Sequence, residues 1–203
     1  PAPDGAESFY IGRMSVADRA QNPVVVDWRA PVAEPFYRAS GSDPMGLVRR
    51  RHFAIRGRSL LGMDDELFGS AAEALDHGSV QGHGALVAAL EERRSGKLSD
   101  IVATIQGEQD EVIRAPLAGV LVVQGGPGTG KTVVALHRAA YLLYTHRFPL
   151  EGQGVLVVGP NRLFLSYIDQ VLPSLGEAGV HTAVIGDLIP DTRVAITESL
   201  PVA

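Results

Sequence analysis

Gly125-Gly126-Pro127-Gly128-Thr129-Gly130-Lys131-Thr132, with Gly119-Val120-Leu121-Val122-Val123 before it and Val133-Val134-Ala135-Leu136-His137-Arg138-Ala139-Ala140-Tyr141-Leu142-Leu143 after it, decides how this chain is read. An apolar strand, a glycine loop and a helix, in that order, are the context a phosphate-binding loop requires. Small residues let backbone N–H groups approach phosphate oxygens, and the new helix aims its positive end at them. Lys131 supplies a point charge, and Thr132 is placed to put its hydroxyl on a magnesium ion. The alternative is a glycine-rich turn used only for close packing. Motif and context coincide here, which favours the phosphate reading.

Working outward on the C-terminal side, Gly154-Val155-Leu156-Val157-Val158-Gly159-Pro160 reads as a second buried parallel strand. Its unbroken apolar character suits a sheet covered on both faces. Asn161 is a candidate cap for a helix running to Leu172, with Leu163, Phe164, Tyr167, Ile168 and Val171 along one side. Val180 to Ile185 then reads as a third strand. Gly119 to Gly186 is accordingly expected to be β-α-β-α-β, an α/β parallel sheet with its ligand at the carboxyl ends of the strands.

On the N-terminal side, residues 9–62 read as a small antiparallel sheet. Its expected strands are Phe9 to Arg13, Pro23 to Trp28, Phe36 to Ala39, and Val48 to Ile55. Asp64 to Leu75 is expected to be a short helix and 76–84 a flexible connection. Apolar spacing then predicts helices over Ala85 to Arg94 and Ser99 to Ile113. The division that follows is a β-rich segment, residues 1–80, and a P-loop segment, residues 84–203.

The 203 residues are enough to bury a sizeable core. With 45% hydrophobic and 20% charged residues, wholesale disorder is excluded. No apolar run approaches the roughly 20 residues that span a bilayer. Cysteine is absent, so a disulfide framework is excluded and the cytosol is the expected compartment. His77 and His83 lack the company of further ligands that a closed zinc site needs. The net charge of −5 divides unevenly: residues 1–60 hold nine arginines and six carboxylates, residues 61–203 nine basic and seventeen acidic side chains. The densest basic cluster, Arg49-Arg50-Arg51-His52, reads either as a solvated strand edge or as a surface for phosphate or acidic protein. No aromatic platform for bases accompanies it, which favours the first.

The loop and the helix after it resemble motif I of the UvrD/Rep type of superfamily 1 helicases. Gln109 stands seven residues before Pro116, where that family carries an adenine-reading glutamine. Its amide has one donor and one acceptor group, which matches the exposed edge of adenine. Tyr10-Ile11-Gly12-Arg13, Asp27-Trp28-Arg29-Ala30-Pro31, Phe36-Tyr37, Arg49-Arg50-Arg51 and Thr104-Ile105-Gln106-Gly107-Glu108-Gln109 are similar to the HelD subfamily. So are Gly159-Pro160-Asn161-Arg162-Leu163-Phe164 and Tyr167 to Glu177. The resemblance implies a bacterial cytoplasmic ATPase, resembling helicases, that binds RNA polymerase and clears it from stalled or inactive nucleic-acid complexes. It implies a partial RecA-like 1A motor domain preceded by a β-rich segment, with ATP and Mg2+ as cofactors. ATP would contact Gln109, Gly125, Gly126, Pro127, Gly128, Thr129, Gly130, Lys131 and Thr132. Lys131 and Thr132 would be the catalytic members, and Thr132 the metal ligand. DNA contacts would fall to regions outside this chain.

Three departures qualify the resemblance. Val133 replaces the basic residue that follows the Lys-Thr pair in the UvrD branch. No strand ends in Asp-Glu, although attack of water on a γ-phosphate needs an acid to hold magnesium and orient the nucleophile. Asp187 is the one superficial candidate for that acid and is read as a loop residue. Finally, the family's long N-terminal helical arm and its large insertion within 1A do not occur. The chain starts without Met and stops at Leu200-Pro201-Val202-Ala203, so it is expected to be a piece of something longer. Two further readings stay open. One is a small P-loop kinase, for which only Arg162 and Arg193 are available as lid arginines. The other is a non-hydrolysing module that docks on RNA polymerase.

Overall fold

The computed structural model describes residues 7–69, 105–150, 152–171 and 179–189. Residues 70–75 of the helix expected over Asp64 to Leu75, the connection 76–84, the helix expected over Ala85 to Arg94, residues 99–104 of that expected over Ser99 to Ile113, and His77, His83 and Arg193 lie outside the described residues. Strand β1 (Ile11–Gly12) runs parallel to β3 (Pro23–Asp27), and β2 (Val16–Ala17) lies antiparallel on the other side of β3. Strands β4 (Arg49–Arg56) and β5 (Ser59–Leu67) form a separate antiparallel hairpin. The single antiparallel sheet expected over residues 9–62 is therefore two smaller sheets, one of them mixed.

Two elements in this half differ in type from the sequence reading. Phe36-Tyr37-Arg38 is helix, not strand: α1 (Glu34–Arg38) follows a 3-10 turn at Pro31–Ala33. Proline near each start supplies a fixed φ where no N–H partner is needed, and Glu34 sits at the positive end of the helix. Asp64 to Leu67 is strand, not helix. Its charges find opposite charges across the hairpin, Asp65 beside Arg51 and Glu66 beside Arg50.

In the second half, α2 (Gly107–Arg114) starts later than the helix expected over Ser99 to Ile113: Ile105 is not helical, and the extended Gln106 forms a capping box with Gln109 that starts the helix at Gly107. The long helix α3 (Lys131–Thr145) leaves the glycine loop and buries Val134, Leu136, Ala139, Ala140, Leu142 and Leu143. The short α4 (Arg147–Leu150) leads to β6 (Val155–Gly159), which pairs in parallel with β7 (Val180–Val184). Between them lies α5 (Arg162–Val171), capped by Asn161 Oδ1, which accepts the Phe164 N–H at 2.8 Å. Gly154 opens β6 at φ +68°, where any Cβ would stand 2.6 Å from the Gly179 carbonyl oxygen. That close approach lets β6 and β7 come into register.

The parallel sheet thus has two strands among the described residues, not three. Gly119 is a bend at φ +96° and Val120 to Val123 belong to no strand, with Val120 and Val122 exposed. A parallel strand takes every ladder hydrogen bond from a neighbour, and no described strand lies beside this segment. Nor is β6 covered on both faces: Val155 and Val157 are half-buried, while Leu156 and Val158 are exposed. The core instead sits where the helices meet the N-terminal turn. Trp28, Ala33 and Tyr37 pack there with Ile105 and Ile113, with Val134, Leu136 and Ala140 of α3, and with Ile168 of α5.

Candidate nucleotide-binding site

Gly130 is the N-cap of α3 at φ +85°, and Gly128 lies at φ +77°. An L side chain pays roughly 1–2 kcal/mol in that region, which glycine avoids. The Val134 N–H is the first to bond back along the helix, to Gly130 O at 2.9 Å. Helix geometry therefore leaves the N–H groups of Lys131, Thr132 and Val133 without intrahelical acceptors. Together with the helix dipole they form a cradle for an anion. The cradle is too tight for side chains: a Cβ on Gly125 would lie 2.8 Å from Thr129 Oγ1. That hydroxyl itself donates to Gly126 O at 2.9 Å and holds the turn at Pro127 and Gly128 closed.

Lys131 Nζ donates to Gly125 O at 2.7 Å and to Gly126 O at 2.5 Å. The ammonium is thereby held over the loop instead of extending into solvent. Thr132 is half-buried in the first turn of α3. Gln109 arrives from α2: its Oε1 accepts the Gln106 N–H at 3.2 Å, which leaves its Nε2 on the loop side. That nitrogen lies 3.3 Å from the position a Cβ on Gly130 would take. The structure thus brings together Gln109 and the loop, which are distant in sequence.

Other charged groups around the site escaped sequence reasoning. Arg138 of α3 donates through Nη1 to the carbonyls of Val112, Ile113 and Ala115, at 3.1, 3.1 and 2.6 Å, and through Nη2 to Pro116 O at 2.8 Å. Burial pulls its guanidinium below its ordinary pKa. Asp110, next to Gln109, is fully buried and receives Arg114 Nε at 2.9 Å on both carboxylate oxygens. The other nitrogens of Arg114 donate to Trp28 O at 2.7 Å and Arg29 O at 3.3 Å. Burial raises the Asp110 pKa, and the nearby Arg114 charge only partly opposes it. An i,i+4 acid–arginine pair on α2 was the available signal, but it reads equally as a solvated pair.

Asp27-Trp28-Arg29 is internal. Trp28 is fully buried, and Asp27 and Arg29 form a buried pair at 2.7 Å, with Arg29 over the Tyr144 ring at 4.6 Å. The Arg49-Arg50-Arg51 cluster is largely neutralised within the hairpin, since Arg50 pairs with Glu66 and Arg51 with Asp65.

Residues 2–81 match the family model of the N-terminal domain of DNA helicase IV HelD, and residues 105–159 match that of the UvrD/REP helicase N-terminal domain. The two matches support a HelD/UvrD-like helicase N-terminal region. No curated protein matches it at a significant level. UvrD-type helicases use ATP with Mg2+, and the family implies ATP-dependent helicase activity in its full-length proteins. The donor set of this HelD/UvrD-like region fits that cofactor: convergent backbone N–H groups, one ammonium and one threonine hydroxyl suit a magnesium-bound triphosphate. No described helix is long and apolar enough to cross a membrane, and no described cluster of His, Asp or Glu suits a metal ion. Asp187 lies in a 3-10 turn after β7, where Arg162 Nη2 holds its Oδ1 at 3.0 Å.

Proposed function

We propose that this chain is the ATP-binding portion of a HelD-like ATPase that binds RNA polymerase and releases it from stalled or inactive nucleic-acid complexes. The observation that carries the reading is the approach of Gln109 to Gly130, at the point where the glycine loop becomes α3. A base-reading amide and a phosphate cradle at one helix end describe a purine nucleoside triphosphate. Gly125, Gly126, Pro127, Gly128, Thr129 and Gly130 shape the cradle, Lys131 neutralises phosphate charge, and Thr132 offers its hydroxyl to Mg2+. Gln109 selects adenine. Bound Mg-ATP supplies the transferable γ-phosphoryl group. This chain positions it but does not hydrolyse it efficiently, because β6 ends at Gly159 with Pro160 after it and the nearest acid after β7, Asp187, is occupied by Arg162.

The β-rich segment, residues 1–80, and the P-loop segment, residues 84–203, act as one unit in this reading. Support comes from the HelD match on the first and the UvrD/REP match on the second. The test is titration of wild type and Lys131→Ala with ATP and Mg2+. A charge-assisted contact is worth roughly 1.5–3 kcal/mol, so the variant should bind about 10- to 100-fold more weakly. Equal affinities would remove nucleotide binding and leave a docking module. Transfer of labelled phosphate to a metabolite would point to a kinase instead. The transcription role is tested by whether the longer protein frees RNA polymerase from stalled complexes and loses that ability with Lys131→Ala.

A further inference from the structure

We propose that Arg138 is a positioning residue for base recognition: it fixes the helix that carries Gln109 to the helix that carries Lys131. The proposal rests on the reading of Gln109 as the adenine contact. Helix α2 has eight residues, too few to hold its own geometry in water. Its C-cap, Ala115, is extended (φ −55°, ψ 148°), so no left-handed glycine satisfies its last carbonyls. Arg138 does so from α3, its guanidinium reaching four carbonyls, those of Val112, Ile113, Ala115 and Pro116. Cation and helix C-terminus also attract each other.

Arg138 stands seven residues, two helical turns, beyond Lys131 on the same helix. The path from ammonium to clamp is thus one rigid element, and the path from clamp to Gln109 is a single short helix. Any slide of α2 along α3 moves the Gln109 amide relative to Gly130, whose missing side chain leaves the space that the amide faces. Such a slide leaves the phosphate cradle, built wholly from residues 125–133, where it was. Base selectivity and triphosphate affinity are therefore separable at Arg138. Lysine is a poor substitute, because a point ammonium cannot span four carbonyls as a planar fork does.

The experiment measures binding of ATP, ITP and inorganic tripolyphosphate to the 203-residue protein and its variants, with thermal melts alongside. ITP carries an oxygen where ATP carries the N6 amino group, so the ATP:ITP affinity ratio reads the base contact. Gln109→Ala should lower that ratio by about 2- to 10-fold, the worth of a neutral hydrogen bond. Arg138→Ala should lower it by a similar factor with tripolyphosphate affinity unchanged, and Arg138→Lys should recover only part. A folded Arg138→Ala with the wild-type ratio overturns the proposal, even if its melting temperature falls. Equal weakening toward all three probes overturns it too, since the clamp would then support the cradle. Should Gln109→Ala itself leave the ratio unchanged, the adenine reading fails and this proposal with it.

Discussion

Trp28 meets His137 edge-on, with ring centroids 5.4 Å apart and planes at 60°. Trp28 belongs to the residues matched by the HelD N-terminal domain and His137 to the helix that leaves the phosphate loop, so this contact joins the two matched regions in one core. Both side chains are buried, and Arg114 ties the backbone of the same turn through Trp28 O. Trp28→Ala should cost about 3–5 kcal/mol, as large aromatic deletions do. Trp28→Phe should cost less, because it also removes an indole N–H that has no hydrogen-bond partner among the described residues. Urea unfolding followed by circular dichroism checks both. An alanine variant within about 1 kcal/mol of wild type would mean the two regions fold independently.

Arg50 and Arg51 are neighbours in sequence with different jobs, and their alanine variants should separate. Arg50 pairs with Glu66 and also donates to Phe36 O at 2.8 Å and Ala39 O at 3.2 Å, so it ties the hairpin to the end of α1. Its side chain is only 13% exposed. Removal strands those acceptors and should cost about 2–3 kcal/mol. Arg51 makes only the cross-strand pair with Asp65 at the surface among these contacts, and its loss should cost clearly less than that of Arg50. Chemical denaturation of the two variants gives the comparison. Equal costs would show that Arg50 does not anchor α1.

Local signals made the second half of the chain legible. Helical spacing after Lys131 gives α3, Asn161 gives the cap of α5, and apolar runs give β6 and β7. The same signal is incomplete at Val120 to Val123: apolar composition marks a strand, but its pairing depends on a distant segment. In the first half, Phe36-Tyr37 reads as strand on aromatic content, whereas Pro31 and Pro35 were the better guide to α1. Asp64 to Leu67 reads as helix because the arginines opposite it come from another strand. The site divides likewise. The loop and Gln109 are visible in the sequence as residue types at known spacings. Arg138 is not, since an arginine on an amphipathic helix looks solvated until the carbonyls beneath it are placed.

Asp110 should give stability a pH dependence opposite to that of an ordinary ion-paired acid. Its carboxylate takes only the Nε of Arg114, because the remaining guanidinium nitrogens serve Trp28 O and Arg29 O. Burial outweighs that single donor, so the folded-state pKa lies above the ordinary 3.8. The folded protein then binds this proton more tightly than the unfolded chain does. Stability from Asp110 is fully present below 3.8 and is lost as pH rises through the folded value. Asp65 has the reverse sign: hydrogen bonding to Arg51 lowers its pKa, so its contribution fades as pH falls. Asp110→Asn keeps an oxygen acceptor for Arg114 but cannot titrate. Wild type should therefore lose stability relative to Asp110→Asn as pH is raised from about 4 toward about 7, read as urea midpoints at each pH. Wild type that holds level with or gains on Asp110→Asn over that range would mean Arg114 outweighs burial and the carboxylate is held low instead.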